Sequence, residues 1–193
     1  VHADIYDRFA EALTQLIKSA RIGNGAEQGV QFGPVQNHQQ FARIKALVEE
    51  ARAAGYRFLT GNETAEGPGY FLPLALIDNP PEDSRIVREE QFGPILPMLK
   101  FDDVNAVIRS ANSTDYGLGG QVWSADIEQA AAIGAQLETG NVFINQIQSI
   151  YPHSPFGGHK TSGLGSEGGL EGLLSYTNPQ SFTIGKRSVK GAA

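Results

Sequence analysis

Ile95-Leu-Pro-Met-Leu-Lys-Phe101, Asp103-Val-Asn-Ala-Val-Ile-Arg-Ser-Ala-Asn112, Gln121-Val-Trp-Ser124, Ile127-Glu-Gln-Ala-Ala-Ala-Ile-Gly-Ala-Gln-Leu137 and Asn141-Val-Phe-Ile-Asn145 follow one another with short joints. The first, third and fifth are short apolar runs of strand length. The second and fourth space their apolar residues three and four apart, which is the helical period. Strand, helix, strand, helix, strand is the order of an α/β fold, because each crossover helix returns the chain to a sheet running the same way. The expectation is therefore alternating strands and helices around a mostly parallel sheet.

The same reading extends towards both ends. Asp4 can cap an amphipathic helix whose stripe is Phe9, Leu13, Leu16, Ile17 and Ala20. Asn37 can cap a second, with Phe41, Ile44, Leu47, Val48 and Ala51 on one face and Gly55 as the stop. Tyr56 to Thr60 and Tyr70 to Ile77 read as strands, separated by the Gly67-Pro68-Gly69 turn. Regular periodicity disappears from Gln146 to Gly169, and long unpatterned loops within compact domains are often functional. A short helix, Leu170 to Tyr176, and a last strand around Ser181 to Ile184 follow. No composition break divides 1–185, which is read as one unit, with 186–193 as a loose tail.

Composition narrows the chemistry. Of 193 residues 40% are hydrophobic and 19% charged, which suits a packed core. With a net charge of -6 and no basic run longer than Lys186-Arg187, a nucleic-acid backbone would find little to hold, so no nucleic-acid partner is expected. There is no cysteine, and the four histidines form no pair at helical ligand spacing, so no metal is expected. The longest apolar candidate, Phe71 to Ile77, contains Pro73 and falls far short of the ~20 residues of a membrane helix. No membrane partner and a cytoplasmic location are the expectation. A start at Val1 rather than methionine fits an excised fragment, a processed product or a removed tag.

Two glycine patterns do not hold up as nucleotide motifs. Gly163-Leu-Gly165-Ser-Glu-Gly168 follows a loop instead of a strand and has no acidic residue ~20 positions on. Gly158-His-Lys-Thr161 has His159 where a phosphate loop needs glycine. Glu89-Glu-Gln-Phe-Gly-Pro94 is a stronger signal: a carboxylate offers two acceptor oxygens to adjacent ribose hydroxyls, with an aromatic ring and a rigid turn beside it. Its bland reading is a solvated acidic pair before a buried Phe.

A family resemblance alters that balance. Val1-His2 through Tyr6, Gly33-Pro34 with Gln40-Phe41, Glu89 to Pro94, Tyr116-Gly117-Leu118 and Pro155-Phe-Gly-Gly-x-Lys160-x-Ser162-Gly163-x-Gly165 occur in an order that resembles the aldehyde dehydrogenase superfamily. They resemble the C-terminal part of its catalytic domain, starting just after the catalytic cysteine. The resemblance implies NAD or NADP as cofactor, with Glu90 on the nicotinamide ribose, Phe92 against the nicotinamide and Gln40 near the adenosine half. It implies Ile150 and Phe156 as apolar walls of the aldehyde pocket and Glu167 as a proton relay to the general base. It also implies a homo-oligomer formed through the C-terminal strand.

The absent cysteine sharpens the expectation. Family members attack the aldehyde with a thiolate, and this chain has none. It is read as part of an enzyme that oxidises an aldehyde to a carboxylic acid through a thioester on a cysteine outside it, and as inactive alone. The competing reading is a free-standing, non-catalytic remnant acting as an interaction or oligomerisation module.

Overall fold

The computed structural model describes residues 1–63 and 67–185. They fall into two compact units, Val1–Ser110 and Ala111–Ala193. The division lies inside a helix, so no shift in composition marks it.

The first unit is built on a three-stranded sheet of β1 (Arg57–Thr60), β2 (Ala75–Asp78) and β3 (Ile95–Met98), in that order. β1 runs antiparallel to β2 and β3 parallel to it. The middle strand is covered on both faces. Ala75 and Ile77 point to α2 (His38–Ala53), joining Ile44, Leu47 and Ala51, with Ile86 and Ile95 alongside. Leu76 points the other way, to Tyr6 and Ala10 of α1 (Ala3–Ser19) and to Met98. Alternate side chains on opposite faces are what a two-residue strand period requires. Leu76 and Ile77 are both 0% exposed, each stabilising the unit by about 1.5–3 kcal/mol through burial.

Local signals explain most of the boundaries. Asn37 caps α2 as its sequence position implies, accepting from the Gln40 amide at 2.8 Å. The cap of α1 is His2, whose Nδ1 accepts from the Asp4 amide, and Asp4 lies in the first turn instead. A carboxylate there suits the positive helix N-terminus. β2 begins at Ala75, later than the expected Tyr70, because Pro73 has no amide to give a ladder. A one-turn helix, α3 (Arg85–Arg88), precedes the Glu-Glu segment; four residues are too few to show a period.

The second unit carries the expected crossover. β5 (Gly119–Val122) passes through α5 (Ile127–Gly134) to β6 (Asn141–Ile144), which pairs parallel to β5. Asp126 caps α5, and Ala130 and Phe143 are buried. Two short antiparallel ladders stand beside it. β4 (Tyr116–Gly117) pairs with β8 (His159–Lys160), and β7 (Phe156–Gly157) with β9 (Ser166–Glu167), before α6 (Gly169–Leu174). Between these two units α4 (Val104–Asn112) carries the chain, its first turn capped by Asp103.

The α/β class is as expected, but the described strands are shared among four small sheets. Pairing is parallel at β2–β3 and β5–β6 and antiparallel in the remaining pairs. The 181–184 segment forms no strand: Phe182 and Ile184 are 82% and 91% exposed, and no described strand lies beside them. A strand needs a partner, whatever its alternation. The tail expected over 186–193 lies outside the described residues.

Candidate functional site

In the first unit the Glu89 to Pro94 segment leaves α3 and enters β3. The paired glutamates have opposite environments. Glu89 turns inward: its Oε1 accepts from Arg85 Nε at 2.6 Å and its Oε2 from an Arg43 terminal nitrogen at 3.2 Å. The Arg85 guanidinium, with Arg43 behind it, holds the Glu89 carboxyl below the usual carboxylate range. Glu90, the next residue, is exposed and makes no hydrogen bond or ion pair with a described residue.

Phe92 is 75% exposed and has φ +48°, in the left-handed region. The bland reading had this ring buried, and it is not. Gln40, on the first turn of α2, donates Nε2 to the carbonyl of Gln91 at 2.6 Å and to that of Phe92 at 3.3 Å. All three residues named from the sequence are therefore gathered at one place, Glu90 and Phe92 as free side chains and Gln40 as a tie to the backbone between them. An outward carboxylate with both oxygens unengaged, beside an outward ring, fits a vicinal diol linked to a flat heterocycle.

In the second unit the long segment after β6 is shaped by its neighbours. Gly168 has φ +68°, and a Cβ there would lie 2.5 Å from the Ser154 carbonyl and 3.2 Å from that of Tyr151. The Gly169 amide donates to Pro152 O at 2.9 Å. The 151–154 turn thus rests on the backbone of Gly168–Gly169, which explains those glycines without a dinucleotide. Ile150 is 59% exposed. Tyr151 and His153 rings lie 5.5 Å apart, tilted by 34°. Phe156 is half-buried, and Glu167 sits opposite it in the β7–β9 ladder.

The rest of the Pro155 to Gly165 stretch is structural. Lys160 Nζ donates to Asn112 O at 2.7 Å and Thr114 O at 3.2 Å and pairs with Glu138 at 2.8 Å. Ser162 Oγ accepts from the Gly117 amide at 2.9 Å. Asn141 Nδ2 bridges the carbonyls of Leu118 and Gly157, each at 2.9 Å. Sequence reasoning missed Arg43, Arg85 and Asn141: the partners of Arg43 and Asn141 lie 16 to 48 residues away and leave no local pattern. Arg85 and Glu89, by contrast, stand at the i,i+4 spacing of a helical ion pair, a local signal that could have found them. Among the described residues no group of three or more His, Asp or Glu could hold a metal ion.

A model described as the aldehyde dehydrogenase family matches residues 1–182. The chain belongs to that family. A protein of Gibberella fujikuroi named as an aldehyde dehydrogenase, FUS7, is 40% identical over 187 residues, 96% of this chain and 39% of its own length. The aldehyde dehydrogenase LUC3 of a Fusarium species is 36% identical over 188 residues, 96% of this chain and 40% of its own length. An NAD+ complex of an aldehyde dehydrogenase from Bacillus cereus has a TM-score of 0.87 at 33% identity, covering 92% of this chain and 36% of that one. This aldehyde dehydrogenase chain therefore spans about two fifths of the length of the curated relatives it matches.

Proposed function

We propose that the chain supplies the parts of an NAD(P)-dependent aldehyde dehydrogenase that grip the nicotinamide end of the cofactor and wall the aldehyde pocket. Family membership supports the reaction class. The NAD+ bound by the Bacillus cereus relative supports the cofactor. The observation that carries the reading is the outward Glu90 carboxylate, without a partner among the described residues, beside the exposed Phe92.

Glu90 would accept hydrogen bonds from the two nicotinamide-ribose hydroxyls, and Phe92 would lie along the nicotinamide. When bound, the nicotinamide takes up the hydride released as the aldehyde carbon is oxidised. Ile150 and Phe156 would keep water from the carbonyl until that transfer is complete. The nucleophile is a cysteine outside these 193 residues, since they contain none. Water then releases the acid from the thioester, and Glu167 would relay the proton that leaves. Overall, aldehyde, NAD+ and water give acid, NADH and a proton.

The exposed Phe182 and Ile184 support pairing of 180–184 with a second copy, because an apolar face on an unpaired segment gains most by being covered. The test of the cofactor reading is an NMR titration of the chain with millimolar NAD+. Shifts centred on Glu90, Gln91 and Phe92 that disappear in Glu90→Gln are expected. In the intact enzyme the same substitution should lower turnover about ten- to a hundredfold, the equivalent of a lost charge-assisted hydrogen bond. Unchanged kinetics with two aldehydes would remove Glu90 from the site.

A further inference from the structure

Phe92 poses a physical problem. A bulky residue at φ +48° is in a sparsely populated conformation that persists only where its surroundings over-determine it. Its own ring cannot do this, being 75% exposed. The restraint comes from the backbone on either side. Gln91 O accepts from Gln40 Nε2 at 2.6 Å and from Arg43 at 3.3 Å, while the Gln91 side chain donates to Ile86 O. Beneath them, Gly93 presses on α2 so closely that a Cβ would lie 2.0 Å from Ile44 Cδ1.

Arg43 is itself held. Its second nitrogen meets Glu89 Oε2 at 3.2 Å, Glu89 Oε1 takes Arg85 Nε at 2.6 Å, and Arg85 reaches Glu50 Oε2 at 2.6 Å. Four alternating charges thus run from Glu50, near the end of α2, through Arg85 and Glu89 and back to Arg43 on α2, which holds the backbone of the Phe92 turn. We infer that Arg43, Glu89 and Arg85, buttressed by Glu50, are positioning residues that clamp the Glu90–Phe92 turn in the shape that receives the nicotinamide end of the cofactor. This rests on the cofactor reading above.

Two features favour a positioning role over a general stabilising one. Solvent-accessible ion pairs contribute little to global stability, and each partner here keeps a third or more of its side chain in solvent. A planar guanidinium fork, by contrast, fixes direction, since its donors cannot turn independently. The two adjacent glutamates divide the work: Glu89 faces the clamp and leaves Glu90 pointing away from it.

The test uses the whole chain with Glu89→Gln, Arg43→Ala, Arg43→Lys and Glu50→Gln, followed by amide exchange and by NAD+ titration. The Glu89 and Ile95 amides, bonded to Arg85 O and Gly93 O, should exchange about tenfold faster in the first two variants, while Ile77 in β2 is unchanged. NAD+ affinity should fall about tenfold in parallel. Arg43→Lys should recover part of both effects and Glu50→Gln should show a smaller effect of the same sign. Unchanged exchange overturns the clamp. Faster exchange with unchanged NAD+ affinity overturns the positioning role. If the unaltered chain shows no NAD+ shifts at Glu90 and Phe92, the cofactor reading falls and takes that role with it, while exchange still reports whether the clamp holds the turn.

Discussion

Phe156 and Glu167 are directly opposed partners in a two-residue antiparallel ladder, so their side chains leave the same face of the backbone. A phenyl ring and a carboxylate named separately in the sequence are thereby brought together. In the intact enzyme, Glu167→Gln is expected to slow steady-state turnover about tenfold through weakened proton transfer. The initial burst of NADH should survive, because hydride leaves before water enters. Stopped-flow absorbance reads both phases, and a slowed burst would argue against the relay.

Lys160 ties three backbone and side-chain acceptors, at Asn112, Thr114 and Glu138, with a side chain that is 25% exposed. Its ammonium sits at the carbonyl end of α4, where positive charge is favourable. Lys160→Met keeps the stem but loses those bonds, so unfolding free energy should drop by about 1–2 kcal/mol. Denaturant titration measures this; a change below about 0.5 kcal/mol would make the tie incidental.

Acid should weaken the first unit through Glu89. Its folded-state carboxyl titrates below the ordinary Glu value because of Arg85 and then Arg43, and the unfolded chain has the ordinary value of about 4.3. A depressed carboxylate gives its full stabilisation above the unfolded value and loses it as pH falls through the folded one. The stability difference between the unaltered chain and Glu89→Gln should therefore be flat near pH 7 and shrink below about pH 4. A difference that stays constant down to pH 2 would contradict this.

The 193-residue chain should show no aldehyde dehydrogenase activity alone. It has no thiol, and its Ser and Thr hydroxyls need an adjacent base to act as nucleophiles. Spectrophotometric assay at 340 nm with several aldehydes checks this. Steady NADH formation by material free of host enzyme would force a search for another nucleophile.

What the sequence alone determined is local. A cap and an apolar stripe placed α2, and period placed α5 and the β5–α5–β6 crossover, because both signals act within a few residues. The Glu-Glu-Gln-Phe-Gly-Pro motif marked a turn that sets a carboxylate beside an aromatic ring. Tertiary structure decided everything that depended on distant partners. Which glutamate faces inward was settled by Arg43, 46 residues away in the chain, and Gln40 became a tie because α2 packs beside the turn. Likewise 181–184 had a strand's alternation but no described neighbour to pair with. Hydrogen bonds and ion pairs depend on where the fold brings two groups together, and a linear pattern carries that information only when the partners are near in the chain.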